Sequence, residues 1–124
     1  MSVIRPPAVA GSFYEADPKL LGKEVDKLLD GATPSIIDGT LLGLISPHAG
    51  YFYSGLAAAY GYKLLKGQPE KPYDCVVIVG PSHREFFNGI SMYSGNGYAT
   101  PLGVVAVNEA VRSAILSQSD TISL

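Results

Sequence analysis

Two short apolar runs, each followed closely by a histidine, constrain the fold of this chain more than any other feature. Residues 41–45 (LLGLI) lead into an SPH corner that ends at His48, and residues 76–79 (VVIV) lead into a GPSH corner that ends at His83. Continuous apolar runs of this length are typical of strands that are buried on both faces of a parallel sheet. The pattern therefore predicts two buried strands with a histidine just beyond each.

A helix is predicted between these two strands. Residues 55–66 (GLAAAYGYKLLK) carry side chains that recur at helical spacing. The interval from His48 to His83 suits a βαβ crossover, which takes about 30 residues or more. Such crossovers are right-handed and often join neighbouring strands, about 4.8 Å apart. Both imidazoles are therefore predicted at one edge of the sheet, where open α/β sheets bind ligands.

The composition favours a single packed domain, residues 1–124. Of these residues 47% are hydrophobic and only 16% are charged, and the formal net charge is −2. A chain with this charge balance has no strongly basic surface to bind nucleic acid. No apolar run reaches the 18 residues or so of a membrane span, and the amino terminus lacks the regions of a signal peptide, so a cytoplasmic protein is expected. The only cysteine, Cys75, starts an apolar run and is predicted to be a small buried residue.

Local signals predict the remaining elements. The first 14 residues are expected to form an extended arm anchored by Phe13 and Tyr14. A helix is predicted to follow Asp17 as N-cap, with Pro18 in its first position and Gly31 just past its end. Further along, we expect a strand at 90–93, turns at 95–97 and 100–103, a strand at 104–107, and a helix at 109–116 capped by Asn108. The tail after it has no stop signal, which indicates a chain cut short at its carboxyl end.

Metal binding is the chemistry that the paired histidines favour. Neutral imidazole is the commonest metal ligand in proteins, so His48 and His83 are the candidate metal ligands. Catalytic zinc takes three protein ligands, and oxygen-activating iron takes two histidines and a carboxylate. Neither Glu85 nor Asp38 stands at a recognised ligand spacing. For each histidine alone, the ordinary alternative is a residue that closes a strand end through a backbone hydrogen bond.

The residues around the two corners are candidates for a binding pocket: Tyr51, Tyr53, Ser82 and Phe86. Aromatic residues in such places are more often the edge of a core. A serine hydrolase is disfavoured because neither corner has the G-x-S-x-G pattern that exposes a nucleophile. Nucleotide binding is also disfavoured, because the GPSH corner lacks the several glycines of a phosphate-binding loop.

Four ordered motifs resemble those of the Memo-like family, also called AmmeMemoRadiSam system protein B. They are AGSFY at residues 10–14, SPHAGY at 46–51, GPSH at 80–83 and YATPLG at 98–103. The resemblance covers nearly all of this chain but only about the first half of the family. It implies a three-layer α/β sandwich with a mainly parallel sheet, similar to the LigB-type class III extradiol dioxygenases.

The same resemblance implies a role for the histidines. It implies that His48 and His83 stand at metal-ligand positions, with iron or copper expected and zinc less favoured, and that the remaining ligands lie in a carboxyl-terminal half. A redox protein with an incomplete metal site is the first hypothesis for this chain. The alternative is a scaffold that recognises a peptide or protein partner at the same pocket. A small molecule or peptide is the expected ligand, with a homo-oligomer as a further expectation.

Overall fold

The computed structural model describes residues 2–67 and 73–124 of the chain; Met1, the first residue of the predicted arm, lies outside them. The described residues form three helices and five short strands. They divide into two compact units, one made of residues 7–67 and 100–103, the other of residues 2–6, 73–99 and 104–124. Helices and strands in this combination make an α/β protein, as predicted from the sequence.

The first helix, α1 (Pro18–Gly31), forms where its N-cap predicts it. Oδ1 of Asp17 accepts hydrogen bonds from the backbone N–H groups of Lys19 and Leu20, each at 2.9 Å. Pro18 occupies the first helical position, where the N–H that proline lacks would have no helical partner. The helix is one residue longer than predicted, because its last residue is the glycine expected just beyond it.

The second helix, α2 (Tyr51–Lys66), packs against α1 and begins one turn earlier than predicted. Gly55 is the point of close approach, since a Cβ atom there would lie 2.9 Å from Cδ1 of Leu28. The ammonium group of Lys63 donates a 2.9 Å hydrogen bond to the carbonyl oxygen of Leu29. This carbonyl lies in the last turn of α1 and also accepts a 3.2 Å hydrogen bond from the backbone N–H of Ala32.

The strands are short, and two of their pairings are parallel. They are β1 (Ile4–Arg5), β2 (Ile90–Ser91), β3 (Gly97–Thr100), β4 (Gly103–Ala106) and β5 (Ile122–Ser123). One sheet has the order β1-β3-β4, with β1 parallel to β3, and the other pairs β2 in parallel with β5. The strand at 90–93 was predicted longer than β2, whereas the turn at 100–103 and the strand after it were predicted within one residue.

The third helix, α3 (Glu109–Leu116), has the predicted bounds and the predicted cap. Oδ1 of Asn108 accepts a 3.1 Å hydrogen bond from the backbone N–H of Val111. Arg112 projects from this helix and donates hydrogen bonds to the carbonyl oxygens of Tyr93 and Gly95, at 2.9 and 2.7 Å. The arginine thereby holds the segment before β3 against α3.

Three predictions made from the sequence are wrong in this structure. Residues 41–45 and 76–79 are not strands, and neither run has a ladder partner among the described residues. Cys75 is exposed rather than buried. The common physical reason is that an apolar run becomes a buried strand only when other strands and helices cover it, and here Ile78 and Val79 remain 89% and 91% exposed.

No helix in the described part of the chain is long and apolar enough to cross a membrane.

Candidate functional site

The loop that carries His48 is held in place at its carboxyl end. The backbone N–H of Tyr51 donates a 2.7 Å hydrogen bond to the carbonyl oxygen of Phe13, and Oγ of Ser54 donates one of 3.1 Å to the carbonyl oxygen of Ala49. Between them, Gly50 is buried against the arm, where a Cβ atom would lie 3.2 Å from that same Phe13 oxygen. The glycine therefore lets the arm approach the start of α2.

A cavity of about 620 Å³ lies beside this loop, within the same compact unit. We call it the His48 cavity. Its wall combines apolar side chains of α1, the arm and α2 with a few polar groups, among them His48, Tyr14, Tyr51, Ser54 and Lys66. His48 itself is largely exposed to solvent. This volume and this mixture of an apolar wall with few polar groups are typical of small-molecule pockets.

Tyr51 is a polar residue of the cavity wall whose surroundings alter its ionisation. Its ring packs against that of Tyr14, with the ring centroids 5.6 Å apart. Burial raises the pKa of the Tyr51 phenol, and the negative charge of Glu24 raises this pKa further, with smaller contributions from Tyr14 and Tyr62. The phenol therefore stays protonated at neutral pH and can donate a hydrogen bond within the cavity.

Tyr53, the other tyrosine predicted for the pocket, occupies a different position. It is 83% exposed, and its ring meets that of Phe52 edge-to-face with centroids 5.2 Å apart. It is not part of the wall of the His48 cavity. Its neighbour Tyr51 lines the cavity because the two residues, two apart on one helix, point in different directions.

The second histidine corner lies in the other compact unit. Oγ of Ser82 makes two hydrogen bonds to the backbone of Glu85. It donates one to the carbonyl oxygen of Glu85 and accepts one of 3.2 Å from the N–H of Glu85. These two bonds close a local turn after the corner. His83 is exposed, and Phe86 is 95% exposed. A common cleft for His48 and His83 stays a prediction, as do the binding roles of Ser82 and Phe86.

Within residues 2–67 and 73–124, no three His, Cys, Asp or Glu side chains lie together in a way that could hold a metal ion. Whether His48 and His83 share a metal site, and how many further ligands such a site has, stays a prediction.

Several residues of the His48 cavity were not predicted from the sequence. Tyr14 was expected to anchor the arm, and its contact with Tyr51 makes it part of the wall as well. Ser54, Tyr62 and Lys66 were not predicted to take part. All three lie on α2 at helical spacing from Tyr51, so the recurrence of polar residues on one face of that helix was the signal that could have identified them.

A model of the family described as "Memo-like protein" matches residues 5–124. The chain belongs to the Memo-like family. It is 40% identical to a MEMO1 family protein of Methanopyrus kandleri, over 90% of this chain and 41% of that protein. It is 37% identical to one of Methanothermobacter thermautotrophicus, over 98% of this chain and 46% of that protein.

A third Memo-like relative, from Aquifex aeolicus, is 41% identical over 91% of this chain and 40% of its own length. The chain thus spans less than half the length of the curated relatives that it matches. The family predicted from the four sequence motifs is confirmed. The metal, the substrate and the partners of a whole Memo-like protein remain matters for proposal.

Proposed function

We propose that this chain supplies two imidazole ligands, His48 and His83, to a redox-active transition-metal site of a Memo-like protein, and that the site is incomplete in this chain alone. Iron or copper is the proposed metal. The observation that carries the proposal is the position of His48, an exposed imidazole on a loop fixed by backbone hydrogen bonds beside a cavity of about 620 Å³. Neutral imidazole suits iron, copper and zinc.

The proposed fold of the whole protein is a three-layer sandwich with a mainly parallel sheet, of the LigB type. Two features support it: the parallel pairing of β1 with β3 and of β2 with β5, and the packing of α1 against α2.

Within this proposal the described residues have separate tasks. The imidazoles of His48 and His83 bind the metal, which supplies the redox chemistry when it is bound. The protonated phenol of Tyr51 orients a ligand by donating a hydrogen bond, and the apolar wall excludes water from it. This chain alone is expected to turn over no substrate, because two imidazoles are fewer than the three protein ligands of a catalytic site.

Metal titration tests the proposal. Fe(II), Cu(I) and Zn(II) are titrated separately into the chain and into His48→Ala, His83→Ala and the control Ser46→Ala, with free metal measured by a competing chelator dye. We expect weak binding to the wild type and to the control, further weakened at least about threefold by each histidine substitution, and no turnover. Equal binding by all four proteins would refute a ligand role for the histidines. Tight stoichiometric binding lost in His48→Ala would refute an incomplete site.

A second candidate function is a scaffold that binds a peptide or protein partner at the His48 cavity. The observation that favours it is the apolar and aromatic wall of this cavity. Lys66 also lines the cavity, and its ammonium group can pair with an acidic group of the partner. Peptide binding that persists in the presence of a chelator and in His48→Ala, but weakens in Lys66→Met, would support the scaffold over the metal site.

The proposed compartment is the cytoplasm. The only cysteine, Cys75, is an exposed free thiol. Exposed thiols persist where glutathione and thioredoxin keep them reduced.

A further inference from the structure

Two asparagines of this chain are followed directly by a glycine: Asn88 precedes Gly89, and Asn96 precedes Gly97. Such a pair can lose the asparagine amide spontaneously, because the backbone nitrogen of the second residue attacks Cγ of the asparagine. Glycine favours this attack, since it has no side chain to hinder the nitrogen and its backbone turns easily. The structure gives the two pairs different surroundings.

Asn96 is held through both its side chain and its backbone. Its Oδ1 accepts a 2.9 Å hydrogen bond from the N–H of Val3, and its Nδ2 donates one of 3.3 Å to Oε1 of Glu109. Its backbone N–H donates to the carbonyl oxygen of Val3 at 2.8 Å, and its carbonyl oxygen accepts from the N–H of Val107 at 2.9 Å. Gly97 is buried in β3. Attack within this pair would break these bonds, so the folded chain protects it.

Asn88 and Gly89 lie in an exposed segment directly before β2. Among residues 2–67 and 73–124, neither the side-chain amide of Asn88 nor the N–H of Gly89 has a hydrogen-bond partner. The φ of Gly89 is +90°, a backbone conformation that glycine adopts without strain. The two groups that react, Cγ of Asn88 and the nitrogen of Gly89, are therefore not held apart by the fold.

We propose that Asn88 is a site of spontaneous modification, which converts it to aspartate and isoaspartate. The nitrogen of Gly89 gives its proton to a base in the solvent and bonds to Cγ of Asn88, and the side-chain amide leaves as ammonia. A cyclic succinimide results. Water then breaks the new bond to Cγ, which gives aspartate, or the original peptide bond, which gives isoaspartate with the main chain running through the side chain. Either product adds one negative charge, and no oxidant or reductant is needed.

The position of Asn88 gives isoaspartate a structural effect, because it inserts one more carbon atom into the main chain just before β2. The fit there is tight: a Cβ atom on Gly89 would lie 2.2 Å from the carbonyl oxygen of Thr121. The same oxygen accepts the 2.9 Å hydrogen bond from the N–H of Ile90 that helps to pair β2 with β5. A longer main chain displaces this N–H, so isoaspartate at position 88 loosens the pairing.

The experiment incubates the folded chain at mildly alkaline pH and follows both pairs by peptide mapping with mass spectrometry. We expect Asn88 to be converted at least about tenfold faster than Asn96, and the two rates to agree within about threefold in urea, which removes the protection. The matched variant is Asn88→Gln, whose longer side chain cyclises far more slowly. Hydrogen exchange at the amide of Ile90 is expected to become faster as isoaspartate accumulates in the wild type, and to stay constant in Asn88→Gln.

Equal rates at Asn88 and Asn96 in the folded chain, or no conversion of Asn88, would overturn the proposed site. A preference for Asn88 that persists unchanged in urea would assign it to the local sequence and overturn the protective role of the fold. Conversion without any change in exchange at Ile90 would overturn the effect on β2. The first two comparisons are made within one chain, so they do not depend on whether a variant folds.

Discussion

Tyr51 gives the described site a pH dependence that can be measured. Its pKa is raised above the ordinary value of 10.0, first by burial and then by the charge of Glu24. The folded protein therefore holds the phenol proton more tightly than the unfolded chain does. It follows that this residue's contribution to stability is complete below pH 10 and is lost as the pH rises through the raised pKa.

We expect the free energy of unfolding of the wild type to fall more steeply than that of Tyr51→Phe as the pH rises above 10. The measurement is urea denaturation at a series of pH values. Tyr53→Phe is the matched control, since it removes a phenol that is 83% exposed on the same helix. If the free energy of unfolding falls equally with rising alkaline pH in wild type and Tyr51→Phe, burial of this phenol does not affect stability.

Gly89 is a residue at which the neighbouring backbone leaves no room for a side chain. Its φ is +90°, and a Cβ atom would lie 2.2 Å from the carbonyl oxygen of Thr121, the same oxygen that accepts the 2.9 Å hydrogen bond from the N–H of Ile90. We expect Gly89→Ala to cost at least about 3 kcal/mol, because it adds backbone strain and forces β2 away from β5.

Gly39→Ala is the control for this prediction. Gly39 also has a positive φ, +102°, but a Cβ atom there meets nothing within 4 Å. Strain alone is expected to cost about 1 to 2 kcal/mol. Thermal unfolding of the two variants compares them directly. Equal losses of stability would mean that the close approach of Gly89 to β5 does not exist in solution.

At the scale of the elements, α1 depends on its cap. The carboxylate of Asp17 accepts two backbone hydrogen bonds, from Lys19 and Leu20. Asp17→Ala leaves both N–H groups without this partner, so we expect a loss of about 1 kcal/mol in the free energy of unfolding. Asp17→Asn keeps a capping oxygen and is expected to lose only a few tenths. Urea denaturation measures both, and equal losses would assign the effect to charge rather than capping.

The helices could be predicted from the sequence because their signals are local. Asp17 and Asn108 mark the starts of α1 and α3 within a few residues of the turns that they cap. α2 was predicted with a late start, since its N-cap, Gly50, makes no side-chain hydrogen bond and so resembles a loop glycine. Its true start depends on the distant carbonyl oxygen of Phe13, which no local pattern reveals.

The strands were harder to predict because their partners are far away in the chain. β1 pairs with β3 more than 90 residues later, through Ile4 opposite Gly97 and Arg5 opposite Tyr98. Apolar character alone predicted strands at residues 41–45 and 76–79, and both predictions are wrong. An apolar run has a tendency to form a strand, but it forms one only when a neighbouring strand pairs with it.

The same distinction applies to the candidate site. The SPHAGY motif identified His48 and Tyr51, and the structure brings both to one cavity, because they lie three residues apart where a loop enters a helix. Tyr14 and Glu24 could not be connected with them from spacing. Their neighbourhood results from tertiary packing of the arm and α1 against α2.

At the scale of the whole molecule, exposed apolar side chains are the dominant feature. Val76, Val77, Ile78 and Val79 form one consecutive exposed run, and Ile78 and Val79 are about nine-tenths exposed. Contiguous apolar surface of this kind marks an interaction site or an aggregation hazard in soluble proteins. A β-branched run that belongs to neither sheet of the described residues is also a template for another strand.

We therefore predict that the chain associates with itself through residues 76–79 as its concentration rises. Sedimentation velocity over a hundredfold concentration range is expected to show a rising weight-average mass. Ile78→Glu places a charge in the middle of the run, which opposes edge-to-edge pairing, and is expected to weaken association at least about tenfold. Thr40→Glu makes the same change of net charge at an exposed loop position and is expected to leave association unchanged. A wild type that stays monomeric throughout, or equal association by both variants, would show that this run does not mediate self-association.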